Sequence, residues 1–315
     1  MIGPGSVCAQ AGRGMRQKSV NSRGTGIKYR DNGAEVSKGG IIMARKWLGM
    51  LLALFVLTGC SLALPERLTT KEPDGPETPQ KAEEEAAEQE KEQEDPAEFD
   101  LSIASIGDSL TKGVGDETEK GGYTSYLLDR LEEEEGINNI EFTHYGKRGL
   151  STEGLLGKLE NNTVTPIIEN ADVIIITIGG NDVMNIAKEN YRSLKMEQFT
   201  DGIEKYEKNL HAIIQETREI NPEADLYFVG LYNPWRQWFA DIEEFSRIME
   251  LWNENTQEVA GSYEGVYFVE ISPLFEEGDD NLIFEEDYFH PNTKGYQLMG
   301  EAVYEAIQKH SLPDE

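Results

Sequence analysis

The distribution of apolar residues divides the chain at about residue 99. From that point to the end, short apolar runs alternate with stretches in which apolar residues recur every three or four positions. The runs predict five strands, at residues 101–106, 140–145, 171–178, 226–231 and 266–271. The periodic stretches predict helices at residues 123–134, 152–159, 241–258 and 293–308, together with a longer one that ends before Pro222.

The run at residues 171–178, ADVIIITI, is apolar on both faces of the strand it would form. A strand of this kind belongs in the centre of a parallel sheet that helices cover on both sides. Strands that alternate with helices build such a sheet, with the helices in a layer on each face. We therefore expect one doubly wound α/β domain with a five-stranded parallel sheet at residues 99–311.

The overall composition is strongly acidic. The 315 residues include 29 Lys and Arg against 59 Asp and Glu, which gives a formal net charge of −30. Proteins that bind nucleic acid need clustered cations to neutralise phosphates, so this balance excludes nucleic acid as the partner. The two cysteines, Cys8 and Cys60, are too few for a disulfide scaffold or a Cys-rich zinc site, and no His pair is present. We expect no metal site.

The charge is unevenly distributed along the chain. Residues 1–59 carry a net charge of +7, residues 61–98 carry −9, and residues 99–315 carry −28. Residues 61–98 are rich in Glu, Gln, Lys, Ala and Pro, and their apolar content is too low to form a core. We therefore predict a basic leader, an acidic disordered linker and a large acidic domain.

The leader contains the sequence MARKWLGMLLALFVLTGC at residues 43–60. Two cations precede an apolar run that is too short to cross a bilayer but has the length of the apolar region of an export signal. The alternative is a buried core helix. The last four residues, LTGC, resemble the lipobox of bacterial lipoprotein signal peptides, which implies that residues 43–59 are removed and that Cys60 is lipidated. This resemblance places the protein on the extracytoplasmic face of a bacterial cell membrane.

Residues 1–42 are Gly-rich, Ser-rich and basic, and they lack apolar periodicity. They precede a complete signal that has its own methionine, Met43. We therefore expect translation to begin at Met43 and residues 1–42 to carry no function. Residues 60–98, which comprise the lipidated cysteine and the linker, would then join the membrane to the domain.

Unusual polar segments follow four of the predicted elements. They are GDSL at residues 107–110, GKRG at 146–149, GGND at 179–182 and DYFHP at 287–291. Taken singly, each is a common turn sequence or a helix start. Because the carboxyl ends of parallel strands meet at one edge of a sheet, the four segments are expected to converge there. Their coincidence indicates a catalytic site.

The residue types in these segments suit acyl transfer. Ser109 lies on a strand-to-helix turn, where its hydroxyl becomes a nucleophile only if a base removes its proton. His290 is the best candidate for that base, and Asp287, three residues earlier, is expected to fix the imidazole tautomer. The backbone N–H groups of Ser109 and Gly149 and the amide of Asn181 would form an oxyanion hole.

These four segments, in this order, resemble the four sequence blocks of the SGNH, or GDSL-type, esterases and lipases. The similarity extends from residue 101 to residue 308. It implies a flavodoxin-like three-layer α/β/α fold and hydrolysis of carboxylic esters without a cofactor. The matching positions are Ser109, Gly149, Asn181, Asp287 and His290.

The second segment departs from the family pattern. Family members often have Asn at the position of His144 and a small residue at the position of Arg148. The sequence therefore leaves the exact geometry of the oxyanion hole undetermined. The substrate is a small-molecule, lipid or cell-wall ester. The aromatic segment at residues 232–239 either lines an acyl or sugar pocket or packs a helix on the sheet, and residues 183–200 form either a lid or a connection.

Two other functions are compatible with the sequence. One is transfer of the acyl group to a sugar or another alcohol instead of water. The other is a surface-tethered binding lipoprotein that keeps the fold without catalysis. We expect a monomer whose contact with the membrane is made through the lipid on Cys60.

Overall fold

The computed structural model describes residues 26–31, 98–236, 242–276 and 281–313. The predicted signal peptide at residues 43–59, Cys60 and all but the last residue of the predicted linker lie outside these ranges. Within them, every helix is too short or too polar to cross a bilayer.

The centre of the molecule is a sheet of six parallel strands. In chain order they are β1 (Gly26–Asp31), β2 (Phe99–Gly107), β3 (Ile137–Gly146), β4 (Val173–Thr177), β5 (Asp225–Val229) and β6 (Val266–Val269). Their order in the sheet is β1-β3-β2-β4-β5-β6. Strands β2 to β6 therefore have the flavodoxin-like order, and the strand order reverses between β2 and β4, which is where ligands bind in such sheets.

The helices cover both faces of the sheet. They are α1 (Tyr123–Leu131), α2 (Thr152–Glu160), α3 (Thr165–Ile168), α4 (Gly180–Glu189), α5 (Met196–Ile220), α6 (Glu243–Gly261), α7 (Ser272–Glu276) and α8 (Thr293–His310). Helices α1 and α8 pack together on one face, and α5 packs between α2 and α6 on the other. The predicted three-layer α/β/α architecture is confirmed.

Alternate residues of the central strands enter two separate cores. On β4, Ile174 and Ile176 contribute to the core beneath α5, whereas Val173 and Ile175 contribute to the core beneath α1 and α8. All five residues of β4 are buried, as the apolar run predicted. Complete burial of each Ile stabilises the fold by about 1.5–3 kcal/mol, so this strand anchors the sheet on both sides.

The predicted number of strands was one too few. Strand β1 lies inside residues 1–42, for which we expected no function, and it pairs in parallel with β3 at the edge of the sheet. Its sequence, GIKYRD, contains only Ile27 and Tyr29 as large apolar residues. An edge strand is held by backbone hydrogen bonds along one side, so it requires little apolar patterning and leaves a weak signal in the sequence.

Gly107 ends β2 and allows the chain to turn away from the sheet. It has a φ of +155°, and a Cβ atom at this position would overlap the carbonyl oxygen and the hydroxyl of Thr177 on β4. Only glycine permits this close approach of the two strands. The next residues, Asp108 and Ser109, are thereby placed at the point where the strand order reverses.

Candidate active site

Ser109 lies in a tight turn directly after β2. The Asp108 N–H donates to the carbonyl oxygen of Thr177 at 3.1 Å, and the Lys112 N–H donates to the carbonyl oxygen of Asp108 at 3.2 Å. The Val114 N–H donates to the carbonyl oxygen of Ser109 at 3.0 Å. These bonds fix the backbone on both sides of the serine, which is buried with 6% of its surface exposed.

The structure brings Ser109, His290 and Asp287 into one hydrogen-bonded chain. His290 Nε2 lies 2.8 Å from Ser109 Oγ, and His290 Nδ1 lies 2.6 Å from Asp287 Oδ2. A carboxylate only accepts hydrogen bonds, so Nδ1 must carry the proton of this bond. In the neutral imidazole, Nε2 is then the acceptor for the serine hydroxyl, as a general base requires.

Asp287 also organises the backbone of the loop that carries the histidine. Its Oδ1 accepts hydrogen bonds from the N–H groups of Phe289 and His290, both at 3.0 Å. Partial burial by itself would raise the pKa of Asp287. The hydrogen bonds from the backbone and ring of His290 and from Phe289 outweigh that effect and hold the pKa below its usual value. The carboxyl group is therefore ionised at neutral pH.

Further backbone contacts close this loop on itself. The Phe284 N–H donates to the carbonyl oxygen of His290 at 2.8 Å, and the Asn292 N–H donates to that of Leu282 at 2.8 Å. Asn292 then caps α8 by accepting from the Gly295 N–H at 3.0 Å. The start of a long, packed helix thus fixes the position of the imidazole.

The three predicted oxyanion donors lie at the ends of β2, β3 and β4. In the described part of the chain, neither the Ser109 N–H nor the Gly149 N–H donates to another protein atom. Gly149 is the third residue of a turn closed by the Leu150 N–H on the carbonyl oxygen of Lys147, and its φ of +77° favours glycine. Open space surrounds the position of its missing Cβ atom. Both N–H groups are thus available to a ligand.

Asn181 opens α4 and is held by two acceptors. Its Nδ2 donates to the carbonyl oxygen of Leu150 at 3.0 Å and to Asp108 Oδ2 at 3.4 Å. The first bond ties Asn181 to the loop that carries Gly149. The second is long for a hydrogen bond, so a stronger acceptor such as an oxyanion can replace it.

Asp108 is a buried carboxyl group that our sequence analysis did not single out. It is 4% exposed, and it accepts from the Leu110 N–H and the Thr177 hydroxyl, each at 3.0 Å. Burial raises its pKa to about 6, although the hydrogen bonds from Leu110 and Thr177 oppose the increase. The signal available in the sequence was its position, directly between the end of β2 and Ser109.

A second contact that the sequence did not reveal joins the first turns of α2 and α4, the helices that follow β3 and β4. Asp182 accepts from the Thr152 N–H at 2.9 Å and from the Thr152 hydroxyl at 2.6 Å. Asn209 on α5 donates to the same hydroxyl at 2.8 Å. Burial raises the pKa of Asp182, and the bonds from Thr152 oppose that rise. This contact sets the spacing between Gly149 and Asn181.

An open apolar cleft lies beside Ser109, on the side of β4 and β5. Its walls include Ile178, Met184, Val229, Leu231, Met249 and Phe289. Met184 lies on α4 and Met249 on α6, so two helices and two strand ends enclose the space. The cleft is suited to an apolar group attached to the reacting carbonyl.

The aromatic segment at residues 232–239 serves mainly for packing where the structure describes it. Tyr232 stacks on Phe275 with a distance of 4.0 Å between ring centroids, and its hydroxyl donates to the carbonyl oxygen of Phe289 at 2.8 Å. Trp235 packs against Phe245 and Phe289. Tyr232 also lines the cleft. Trp238 and Phe239 lie outside the described residues.

Residues 183–200, predicted as a lid or a connection, contain most of α4 and the start of α5. Val183 on α4 is buried in the core, which anchors this helix to the domain. Among the residues that the structure describes, no group of His, Cys, Asp and Glu side chains has an arrangement that could hold a metal ion.

Comparison with known proteins identifies a matching family and two similar proteins from Bacillus. Residues 105–298 match the model of the GDSL-like lipase/acylhydrolase family. The chain is 37% identical over 216 residues to the uncharacterized protein YpmR of Bacillus subtilis, covering 68% of this chain and 84% of that protein. It is 27% identical over 209 residues to the spore germination lipase LipC of Bacillus licheniformis, covering 64% of this chain and 94% of that protein.

A solved structure shares the fold. The lipase Lip_vut3 from a goat rumen metagenome superimposes with a TM-score of 0.57 at 24% sequence identity. The match covers 65% of this chain and 97% of that one. At this identity, the likeness concerns the fold alone.

Proposed function

The chain belongs to the GDSL-like lipase/acylhydrolase family, and from this membership we propose that it cleaves carboxylic esters through an acyl-enzyme intermediate on Ser109. The observation that carries the proposal is the hydrogen-bonded chain from Asp287 through His290 to the Ser109 hydroxyl. The alternative of a binding protein without catalysis has no support in this geometry, because nucleophile and base are within hydrogen-bonding distance.

In the first half of the reaction, His290 Nε2 accepts the proton of the Ser109 hydroxyl as the oxygen attacks the ester carbonyl carbon. The imidazole becomes a cation, which the ionised Asp287 stabilises through Nδ1–H. The protonated Nε2 then donates its proton to the leaving alcohol oxygen, and the C–O bond of the ester breaks. The acyl group remains on Ser109.

The negative charge of the tetrahedral intermediate requires fixed donors. The N–H groups of Ser109 and Gly149 have no competing acceptor in the described part of the chain, and Asn181 Nδ2 can exchange its long bond to Asp108 for the oxyanion. Donors that are already oriented cost little reorganisation when the charge develops. In the second half of the reaction, His290 activates water, which releases the acid.

The apolar cleft supports an acyl chain as the group that Ser109 receives. Met184 and Met249 line it, and unbranched Met side chains adapt to ligands of different shapes. The name of the relative LipC, a lipase, agrees with an apolar acyl group. We propose that the cleft holds the acyl part of the substrate.

We also propose that the domain is exported and attached to a membrane by a lipid on Cys60. The support is the sequence of residues 43–60, with two cations, an apolar run and LTGC in that order. Labelling of cells with an alkyne fatty acid should mark the wild-type protein and leave Cys60→Ala unlabelled. Equal labelling of both proteins would contradict the anchor.

The test of the proposed reaction is hydrolysis of a chain-length series of chromogenic esters, from acetyl to long acyl. Ser109→Ala should abolish hydrolysis of every ester and retain the unfolding temperature of the wild type. Full activity in this variant would refute the role of Ser109. Product analysis in the presence of an added alcohol separates hydrolysis from transfer: release of free acid supports hydrolysis, and ester exchange supports transfer.

A further inference from the structure

Three cations lie on the side of Ser109 that faces away from the apolar cleft. Lys147 and Arg148 follow β3, and Lys112 belongs to the turn after β2. The cleft lies beside the ends of β4 and β5. Since β2 stands between β3 and β4 in the sheet, the cations and the cleft flank the serine from opposite directions.

Backbone contacts hold the two segments that carry these cations against each other. The Lys147 N–H donates to the carbonyl oxygen of Gly107 at 3.0 Å. A Cβ atom on Gly146 would lie 2.5 Å from Lys112 N and 2.9 Å from Lys112 Cβ, so the two segments touch at this point. Arg148 directly precedes Gly149, whose N–H is a proposed oxyanion donor. We call Lys112, Lys147 and Arg148 the cationic rim.

The cationic rim is exposed to solvent, and its three side chains make no ion pair in the described part of the chain. Some other cations of the domain are paired, such as Lys205 with Glu153 and Arg247 with Glu250. Residues 99–315 carry a net charge of −28, so three neighbouring cations at the strand ends are opposite in sign to the domain as a whole. Their charge is available to an anion that arrives with the substrate.

The geometry of the reaction assigns that anion to the alcohol part of the ester. If the acyl chain fills the cleft, the leaving oxygen lies within reach of His290 Nε2. The turn after Ser109 runs beside this histidine, because a Cβ atom on Gly115 would lie 3.1 Å from His290 Cβ. Lys112 belongs to the same turn. A substituent on the leaving oxygen that follows this turn away from the cleft would meet the cationic rim.

We propose that Lys112, Lys147 and Arg148 bind an anionic group, a phosphate or a carboxylate, on the alcohol part of the ester substrate. The proposal rests on the proposed esterase function and narrows its substrate class to esters with an apolar acyl chain and an anionic alcohol. Arg presents several donors in a plane to such an oxyanion, and Lys adds point charges beside it.

The experiment compares two esters that share an acyl group. One is 3-butanoyloxy-4-nitrobenzoate, whose leaving group is anionic, and the other is 2-nitrophenyl butanoate, which lacks the carboxylate. The rim variant combines Lys112→Gln, Lys147→Gln and Arg148→Gln. The control variant combines Lys158→Gln, Lys208→Gln and Lys309→Gln on α2, α5 and α8, which changes the net charge by the same amount away from the site.

In the rim variant, the ratio of kcat/KM for the anionic ester to kcat/KM for the neutral ester should fall by roughly 10-fold, since three exposed ion pairs of modest strength are lost. The loss should appear in KM, because the anion is bound equally in the ground state and the transition state. The control variant should keep the wild-type ratio. High salt should reduce the ratio in the wild type, because it screens exposed charges.

An unchanged ratio in the rim variant, with both esters still hydrolysed, would overturn this inference and leave the esterase function intact. Failure of the wild type to hydrolyse any ester faster than Ser109→Ala would overturn both. A second pair, 1-acyl-lysophosphatidylglycerol and the 1-monoacylglycerol of equal chain length, identifies the source of the anion. A preference for the lysolipid that the rim variant loses indicates a lipid headgroup, and a preference confined to the benzoate ester indicates a small soluble acid.

Discussion

Two aspartates beside Ser109, Asp287 and Asp108, have pKa values that are shifted in opposite directions. Asp108 is almost completely buried, and burial raises its pKa to about 6. The side chain of Asp287 keeps 30% of its surface exposed and accepts hydrogen bonds from two backbone N–H groups and the ring of His290. Burial also acts on Asp287, but its donors outweigh it and lower the pKa.

The difference shows how two residues of the same type acquire different roles in one site. A carboxylate that stabilises the imidazolium must stay charged, and the N–H donors around Asp287 ensure this. Asp108 contacts the serine turn, Thr177 and Asn181, and has no bond to the histidine. We therefore infer that Asp287 acts on His290, whereas Asp108 orients the donor Asn181.

Asp287→Asn removes the negative charge beside His290 and should have the largest effect on activity of the three substitutions compared. The amide oxygen can still accept from the Phe289 and His290 N–H groups, so the loop should keep its shape. The amide NH₂ would face His290 Nδ1 and favour the tautomer in which Nε2 carries the proton. We expect kcat to fall on the order of 10³- to 10⁴-fold. Ester hydrolysis and the unfolding temperature are the measurements, and activity within 10-fold of wild type would contradict this role.

Asn181→Ala tests the oxyanion donor that Asp108 is inferred to orient. It removes one proposed oxyanion donor, and kcat should fall by roughly 10²- to 10³-fold with little change in KM. Asn190→Ala, at the C-terminal end of α4, is the matched control and should keep wild-type kcat. A loss confined to KM would argue against the oxyanion role.

Asp108→Asn has the smallest expected effect and acts on stability. The pKa of Asp108 is about 6 in the folded protein against 3.8 for an ordinary Asp. The folded state therefore binds more protons between these values, and the contribution of Asp108 to stability is present below pH 3.8 and lost as the pH rises through 6. In the Asp108→Asn variant this side chain has no ionisable group, so the variant's stability lacks this dependence on pH. Its free energy of unfolding, relative to wild type, should increase by about 3 kcal/mol from pH 3.5 to pH 7.5.

Urea denaturation of both proteins at several pH values measures this difference. Asp201→Asn, which removes an exposed carboxylate from α5, controls for the change in net charge. Its stability relative to wild type should change much less with pH. A difference between Asp108→Asn and wild type that stays constant with pH would show that Asp108 has an ordinary pKa.

The sequence predicted the fold and the convergence of the four segments because these depend on long, regular patterns. The apolar run of β4 and the periodicity of α5 are strong signals, and the topology of a parallel sheet then brings the strand ends together. Strand β1 was missed because it has only two large apolar residues, and so short an alternation does not stand out in the sequence. The unusual pKa of Asp108 and the contact between Thr152 and Asp182 were missed because burial and pairing depend on tertiary structure.

The central claim is that Ser109 carries the acyl group during the reaction. The most direct measurement is mass spectrometry of the Ser109 peptide after the protein is mixed with a 4-nitrophenyl ester and quenched in acid within milliseconds. We predict an added acyl mass on Ser109 in the wild type and none in Ser109→Ala. Hydrolysis of the ester by Ser109→Ala at the wild-type rate, with no acyl mass on the wild-type peptide, would contradict the claim.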